Sequence, residues 1–136
     1  MVFINLPVTD VARSTAFYEA LGWTLNPMFS DDNSSCVIVS DTIYVMLLTH
    51  DFFSSFTPGK GVADAHAAIG AQYALSCDSR DDVDALVARA VEAGGAPWES
   101  RDLGFMYSRA FQDPDGHYWD PFWMDPAAAA GGPPSE

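Results

Sequence analysis

One order of local signals occurs twice in this chain, and a chain that repeats a βαβββ pattern has few ways to fold. In the first half, Phe3 to Val8 is rich in strand formers, Asp10 stands where a helix N-cap belongs, and Val11, Phe17, Tyr18 and Leu21 follow at helical spacing. Gly22 closes that helix. Three β-prone stretches come next, Thr24 to Phe29, Ser35 to Ser40 and Thr42 to Thr49, separated by Asp31-Asp32-Asn33-Ser34 and by Ser40-Asp41. The second half opens on a strand from Gln72 to Cys77. Ser79 then caps a helix in which Val83, Leu86, Val87, Ala90 and Val91 recur at i, i+3, i+4, i+7 and i+8, the strongest helical periodicity in the chain. After Gly94-Gly95 three further strands are predicted, at Pro97 to Arg101, Phe105 to Gln112 and His117 to Met124. Leu6 overlays Leu75 at an offset of 69, and Gly22 overlays Gly94 at 72, so the halves share a period as well as an order. The expectation is an α+β fold of two βαβββ modules, residues 1–50 and 71–125, joined by a connector over residues 51–70.

The connector carries Phe52, Phe53, Phe56, Pro58, Gly59 and Gly61, too apolar for a solvated linker and more in keeping with a packed connection or a lid. From Pro126 the alanines, glycines and prolines have nothing to bury, which predicts a disordered tail over 126–136. With 136 residues, 49% of them hydrophobic, the chain can build one core without staples. Its formal charge of -13 repels nucleic-acid phosphates and anionic headgroups, so neither nucleic acid nor membrane is an expected partner. Runs such as Ile43 to Leu48 are far too short to cross a bilayer. Cys36 and Cys77 lie inside apolar stretches and read as two free thiols. With no basic n-region or cleavage site at the N-terminus, the expected location is the cytoplasm.

Two groups of residues carry a family likeness: Asn5-Leu6-Pro7-Val8-Thr9-Asp10 with Ser14 and Phe17-Tyr18-Glu19-Ala20-Leu21-Gly22, and, about a hundred residues later, Asp113-Pro114-Asp115-Gly116-His117. Over residues 2–125 the chain resembles the vicinal oxygen chelate superfamily, which holds glyoxalase I, extradiol dioxygenases, fosfomycin resistance enzymes and bleomycin resistance proteins. The resemblance implies a glyoxalase/bleomycin resistance-like fold, a paired, curved mixed sheet around a central cavity, and a homodimer. Apart from it, Phe17, Tyr18 and Leu21 are what any amphipathic helix lays on a sheet, and Asp113-Pro114-Asp115-Gly116 is a hairpin turn whose chemistry needs no further role.

In this superfamily each helix covers one face of its sheet and the other face lines the cavity, so strand parity sorts the residues. Ile4, Leu6 and Val8 go under the helix and leave Phe3, Asn5 and Pro7 to the cavity; Tyr44, Met46 and Leu48 share that face. Tyr73, Leu75 and Cys77 go under the second helix, leaving Gln72 inside, and Tyr118, Asp120 and Phe122 point in from the last strand. The resemblance places metal ligands at Phe3, Met46, Gln72 and Asp120. Phe3 cannot ligate and a Met thioether is a poor donor to hard or borderline ions, so only Gln72 and Asp120 are weak metal candidates. His117 lies three residues from Asp120, on the opposite face, and reads as a turn-flanking residue bonded locally or exposed. His50 falls at a strand end and His66 in the connector.

The expected cavity is therefore aromatic, with Asn5, Gln72 and Asp120 as its few polar groups. Arg109 is a second-rank candidate for an anionic group, against a surface ion pair. A cavity of this kind binds more readily than it catalyses. The leading functional expectation is binding of a small organic molecule, of cationic or aromatic character, with no cofactor. The alternative is a divalent-metal-dependent lyase, isomerase or dioxygenase of the same superfamily, using Gln72 and Asp120.

Overall fold

A computed structural model describes residues 1–131 of the chain. The first module runs β1 (Val2–Val8), α1 (Val11–Ala20), β2 (Thr24–Asn26), a single 3-10 turn at Pro27–Phe29, β3 (Ser34–Ile38) and β4 (Ile43–Thr49). Its four-stranded sheet has the order β1-β4-β3-β2, with β1 parallel to β4 and the remaining pairs antiparallel. A short helix α2 (His50–Ser55) opens the connector. The second module runs β5 (Gln72–Tyr73), α3 (Arg80–Glu92), β6 (Ala96–Asp102), β7 (Met106–Gln112), β8 (Tyr118–Trp119) and β9 (Phe122–Met124), in the order β5-β8-β7-β6 with β9 also paired to β7. Both long helices begin as their caps require: Asp10 accepts from the Arg13 amide and Ser79 from the Asp82 amide.

The stretch read as one strand from His117 to Met124 is divided. Tyr118 and Trp119 pair with Gln112 and Phe111, Phe122 to Met124 pair with Ser108 to Met106, and Asp120-Pro121 interrupts them. Pro121 has no N–H to give the ladder, so the strand breaks there. The stretch after Tyr73 is irregular but stays alongside, because the Phe122 amide donates to Leu75 O and the Cys77 amide to Phe122 O. Pro126–Gly131 forms a one-turn helix, α4, where composition alone reads as frayed chain; the rest of that expectation, residues 132–136, lies outside the described residues. Cys36 and Cys77 are free. Among the described residues no helix is long and apolar enough to cross a membrane.

The helix-side faces of the two sheets share one core. Leu6, Val8, Val45 and Leu47 of the first sheet meet Phe17, Tyr18 and Leu21 of α1, Leu86, Val87 and Ala90 of α3, and Phe111 and Trp119 of the second sheet. At its centre the Tyr18 ring stacks on Trp23 at 5.5 Å and meets Trp119 edge-on at 5.9 Å. Around this core the Asp113-Pro114-Asp115-Gly116-His117 turn clasps the first module. Asp115 Oδ1 accepts from the Thr9 amide at 3.0 Å and the Thr9 hydroxyl at 2.8 Å, and its Oδ2 accepts from Ser14 at 3.2 Å. Asp113 accepts from Tyr18 Oη and from the amides of Asp115 and His117. The turn is therefore structural, but turn chemistry is only half of its role: its carboxylates face the motif residues of the other module.

Candidate functional site

Parity places the side chains of the first module as expected. Leu6 and Val8 are buried under α1, whereas Phe3 and Asn5 are on the open face, opposite Tyr44 and Met46 in the parallel register. Phe3 stacks on Tyr44 with centroids 4.8 Å apart and planes 15° apart, forming an aromatic plate at one end of that face; Phe3 keeps 52% of its surface in water. Asn5, Met46 and Leu48 line a hollow of about 370 Å³ at the other end, walled by Met28 and Phe29 of the 3-10 turn and by Phe52 and Phe56 at α2. The apolar connector thus begins by covering this face.

In the second module Gln72 and Tyr118 are register neighbours on the parallel β5–β8 pair. Asp120 follows, its carboxyl raised by partial burial against the opposing effects of a hydrogen bond from Ser108 and the charge of Arg101. The positive charge of Arg101 already acts on Asp120, which weakens the physical case for a cationic ligand there. Phe122 is half-buried where β9 meets β7, and its backbone holds the Leu75–Cys77 segment. Arg109 leaves the site altogether. Its guanidinium pairs at 3.0 Å with Asp84 of α3, which also accepts from Tyr107 Oη at 2.6 Å, so the surface ion pair is the outcome. The hollow that holds Asn5, Met46 and Leu48 is lined wholly from residues 5–56, so it does not gather Gln72, Tyr118, Asp120 and Phe122 from the other module.

The modules do meet under the connector. A second pocket, about 290 Å³, lies between Asn5 and Pro7 of β1, Tyr73 of β5, His117, and the connector residues Phe53, Lys60 and Ile69. Asn5 belongs to both pockets. His117 is bonded within its turn through its amide, as expected, but it is only 8% exposed and its ring leaves the turn: Nε2 lies 2.7 Å from Pro7 O, across the module boundary. His66 reaches Pro114 O at 3.0 Å in the same way, and with His50 the chain's three histidines line one adjoining pocket of about 340 Å³. Lys60, Tyr73 and His117 were not among the residues expected at a site. Their only signal was the connector's apolar composition, since a loop that must pack brings its own polar residues to whatever it covers.

The donor set at the four positions where the resemblance puts metal ligands is Phe3 with none, Met46 with a thioether, Gln72 with a neutral amide and Asp120 with a single carboxylate. That set does not fit a divalent ion. Among the described residues no three His, Cys, Asp or Glu side chains are grouped to hold one.

The profile described as the "Glyoxalase/Bleomycin resistance protein/Dioxygenase superfamily" matches residues 1–120. No curated protein sequence matches the chain. Among solved structures, a hypothetical protein from S. aureus is 25% identical with a TM-score of 0.77, over 91% of this chain and 93% of that one. A lactoylglutathione lyase from Agrobacterium tumefaciens is 16% identical with a TM-score of 0.66, over 90% and 92%. The fosfomycin resistance protein FosX from Mesorhizobium loti is 17% identical with a TM-score of 0.69, over 96% of both chains. The last two likenesses speak to fold alone. With most of its length matched by the family profile and both modules in place, the chain belongs to the glyoxalase/bleomycin resistance protein/dioxygenase superfamily.

Proposed function

We propose that this protein binds a small organic molecule on the open face of its first sheet and under the connector, without a resident metal ion. The observation that carries the reading is the position of Asn5, one amide shared by two adjoining, partly open apolar pockets. An amide there can orient a ligand whose body lies on Met46, Leu48 and the connector aromatics, the usual pairing of apolar walls with a few placed polar groups. The unsuited donor set at Phe3, Met46, Gln72 and Asp120 supports binding rather than metal-assisted chemistry.

We also propose a homodimer. Val2, Phe3, Phe29 and Trp98 leave large apolar surface in water, and Trp98 sits on β6, an edge strand exposed along its whole length. A second copy laid on the open faces would cover this surface and bring a Gln72–Tyr118–Asp120 face opposite an Asn5–Met46–Leu48 face.

A thermal-shift screen of small aromatic and aliphatic compounds, run with and without EDTA, tests the binding reading. A ligand that binds only the folded state raises the melting temperature in proportion to the logarithm of its concentration. The expected result is a set of hits indifferent to EDTA and weakened by Asn5→Leu. About one equivalent of metal per chain, lost in Gln72→Ala and Asp120→Ala, would instead restore the metalloenzyme reading.

A further inference from the structure

The pocket under the connector has a charge with no counterpart. Lys60 is the only lysine in a chain with 19 acidic residues. Arg13, Arg80 and Arg109 each pair with an aspartate, whereas Lys60, Arg89 and Arg101 make no ion pair among the described residues, and of these three Lys60 alone lines this pocket. Its place is fixed by the tight turn at Thr57–Lys60, where the Lys60 amide donates to Thr57 O at 3.2 Å and Gly59 takes φ +85°. Around it the pocket is apolar, walled by Pro7, Phe53 and Ile69, and Ile69 remains 44% exposed although it lines a concave surface. Asn5 and Tyr73 add an amide and a hydroxyl. Burial, followed by the charge of Asp113, raises the Tyr73 hydroxyl, which therefore stays protonated and able to donate.

We propose that the connector pocket is a site for a small monocarboxylate with an apolar tail, its carboxylate held by Lys60 and its tail on Pro7, Phe53 and Ile69. This names the ligand class of the site proposed above and rests on that reading. The volume, about 290 Å³, is at the small end for an organic ligand, which selects a short tail. A cationic ligand would bring like charge to Lys60, and a carboxylate gains an ion pair with its exposed ammonium that a neutral ligand does not, so the carboxylate is the favoured form.

Titration with hexanoate, 1-hexanol and hexylammonium, followed by amide chemical shifts, tests this on the intact protein. Hexanoate is expected to shift amides around Asn5, Lys60 and Tyr73 saturably and to bind about fivefold more tightly than hexanol, the discrimination of one partly solvated ion pair. Hexylammonium is expected to bind more weakly than both. Lys60→Met, on an exposed turn and so without a folding penalty, should remove the preference for hexanoate over hexanol, and Lys60→Arg should restore it. Ala68→Phe, which fills the pocket from its outer wall, should abolish hexanoate binding with the lysine intact. Equal affinity for hexanoate and hexanol in the unsubstituted protein, or hexanoate affinity unchanged in Lys60→Met or in Ala68→Phe, would overturn the proposal. So would saturable shifts confined to another part of the molecule. Thermal-shift ligands that depend on Asn5 but not on Lys60 would leave small-molecule binding standing while removing the carboxylate class.

Discussion

Tyr18 is the residue on which most of the buried polarity converges. Its hydroxyl donates to Asp113, which is 2% exposed, and accepts from Trp119 Nε1 at 3.0 Å. Tyr18→Phe leaves both partners buried, and Trp119 without its acceptor, so the expected loss is about 2–4 kcal/mol in urea denaturation, well beyond that of an ordinary exposed hydroxyl. The same pair sets a pH dependence. Burial raises the Asp113 carboxyl above the usual range, against the opposing effects of the His117 charge and the Tyr18 hydrogen bond. A folded-state value above the unfolded one means that the folded chain binds more protons in the window between them. Stability contributed at this site is therefore greatest below the ordinary carboxylate range and falls as pH rises through that window. Tyr18→Phe is expected to extend the fall to higher pH, measured as denaturation midpoints from pH 4 to 7; an unshifted profile would show that Asp113 does not depend on this hydroxyl. Residue identities here were visible in the sequence, but their pairing was not. Tyr18 and Asp113 are 95 positions apart, and nothing in a turn motif says which distant donor its carboxylate will meet.

At the level of elements, periodicity alone separated the two faces of β1 and β4, and Leu6, Val8, Val45 and Leu47 are buried where alternation puts them. One lapse has a definite cause: Pro121 divides what alternation reads as one strand. Leu48 lines the open-face hollow with Asn5 and Met46 as alternation puts it, yet is 2% exposed, with Phe52 and Phe56 in the same hollow. The connector's path was not legible because its packing is set by a close approach rather than by a pattern. Gly116 takes φ +87°, and a Cβ there would stand 2.7 Å from His66 N and 2.9 Å from Ala65 C, both backbone. Gly116→Ala should therefore lift the connector from the turn, costing about 2 kcal/mol or more through strain and lost contacts. Hydrogen exchange should then quicken over residues 62–68 while α3 stays protected; unchanged exchange there would mean that the connector is held elsewhere. Helix α3 provides the contrast, since its cap was readable. Ser79→Ala is expected to cost about 1 kcal/mol in thermal or urea melts without altering ligand binding.

Across the whole molecule, the shared helix-side core leaves both open sheet faces pointing away from it, which is why the site residues read from strand parity divide into two groups. The sequence shows which residues share a face of their own sheet; which faces of different sheets meet depends on how the modules dock, and here α1, Trp23 and Trp119 settle that on the helix side. A homodimer follows as the expectation for solution. Sedimentation equilibrium at tens of micromolar should give about twice the 14.7 kDa chain mass, and Trp98→Glu together with Phe3→Glu should return it to one chain mass. A species of one chain mass at every concentration would leave the open faces uncovered and remove the dimer from the account.

The most direct test of small-molecule binding at Asn5 is a crystal structure of the protein with the strongest thermal-shift ligand. The ligand is expected within hydrogen-bonding distance of the Asn5 amide, its apolar body against Met46 and Leu48 or beneath Phe53 and Ile69, with no metal ion in contact with it. A ligand seated away from Asn5, or held through a metal ion on Gln72 and Asp120, would contradict that expectation.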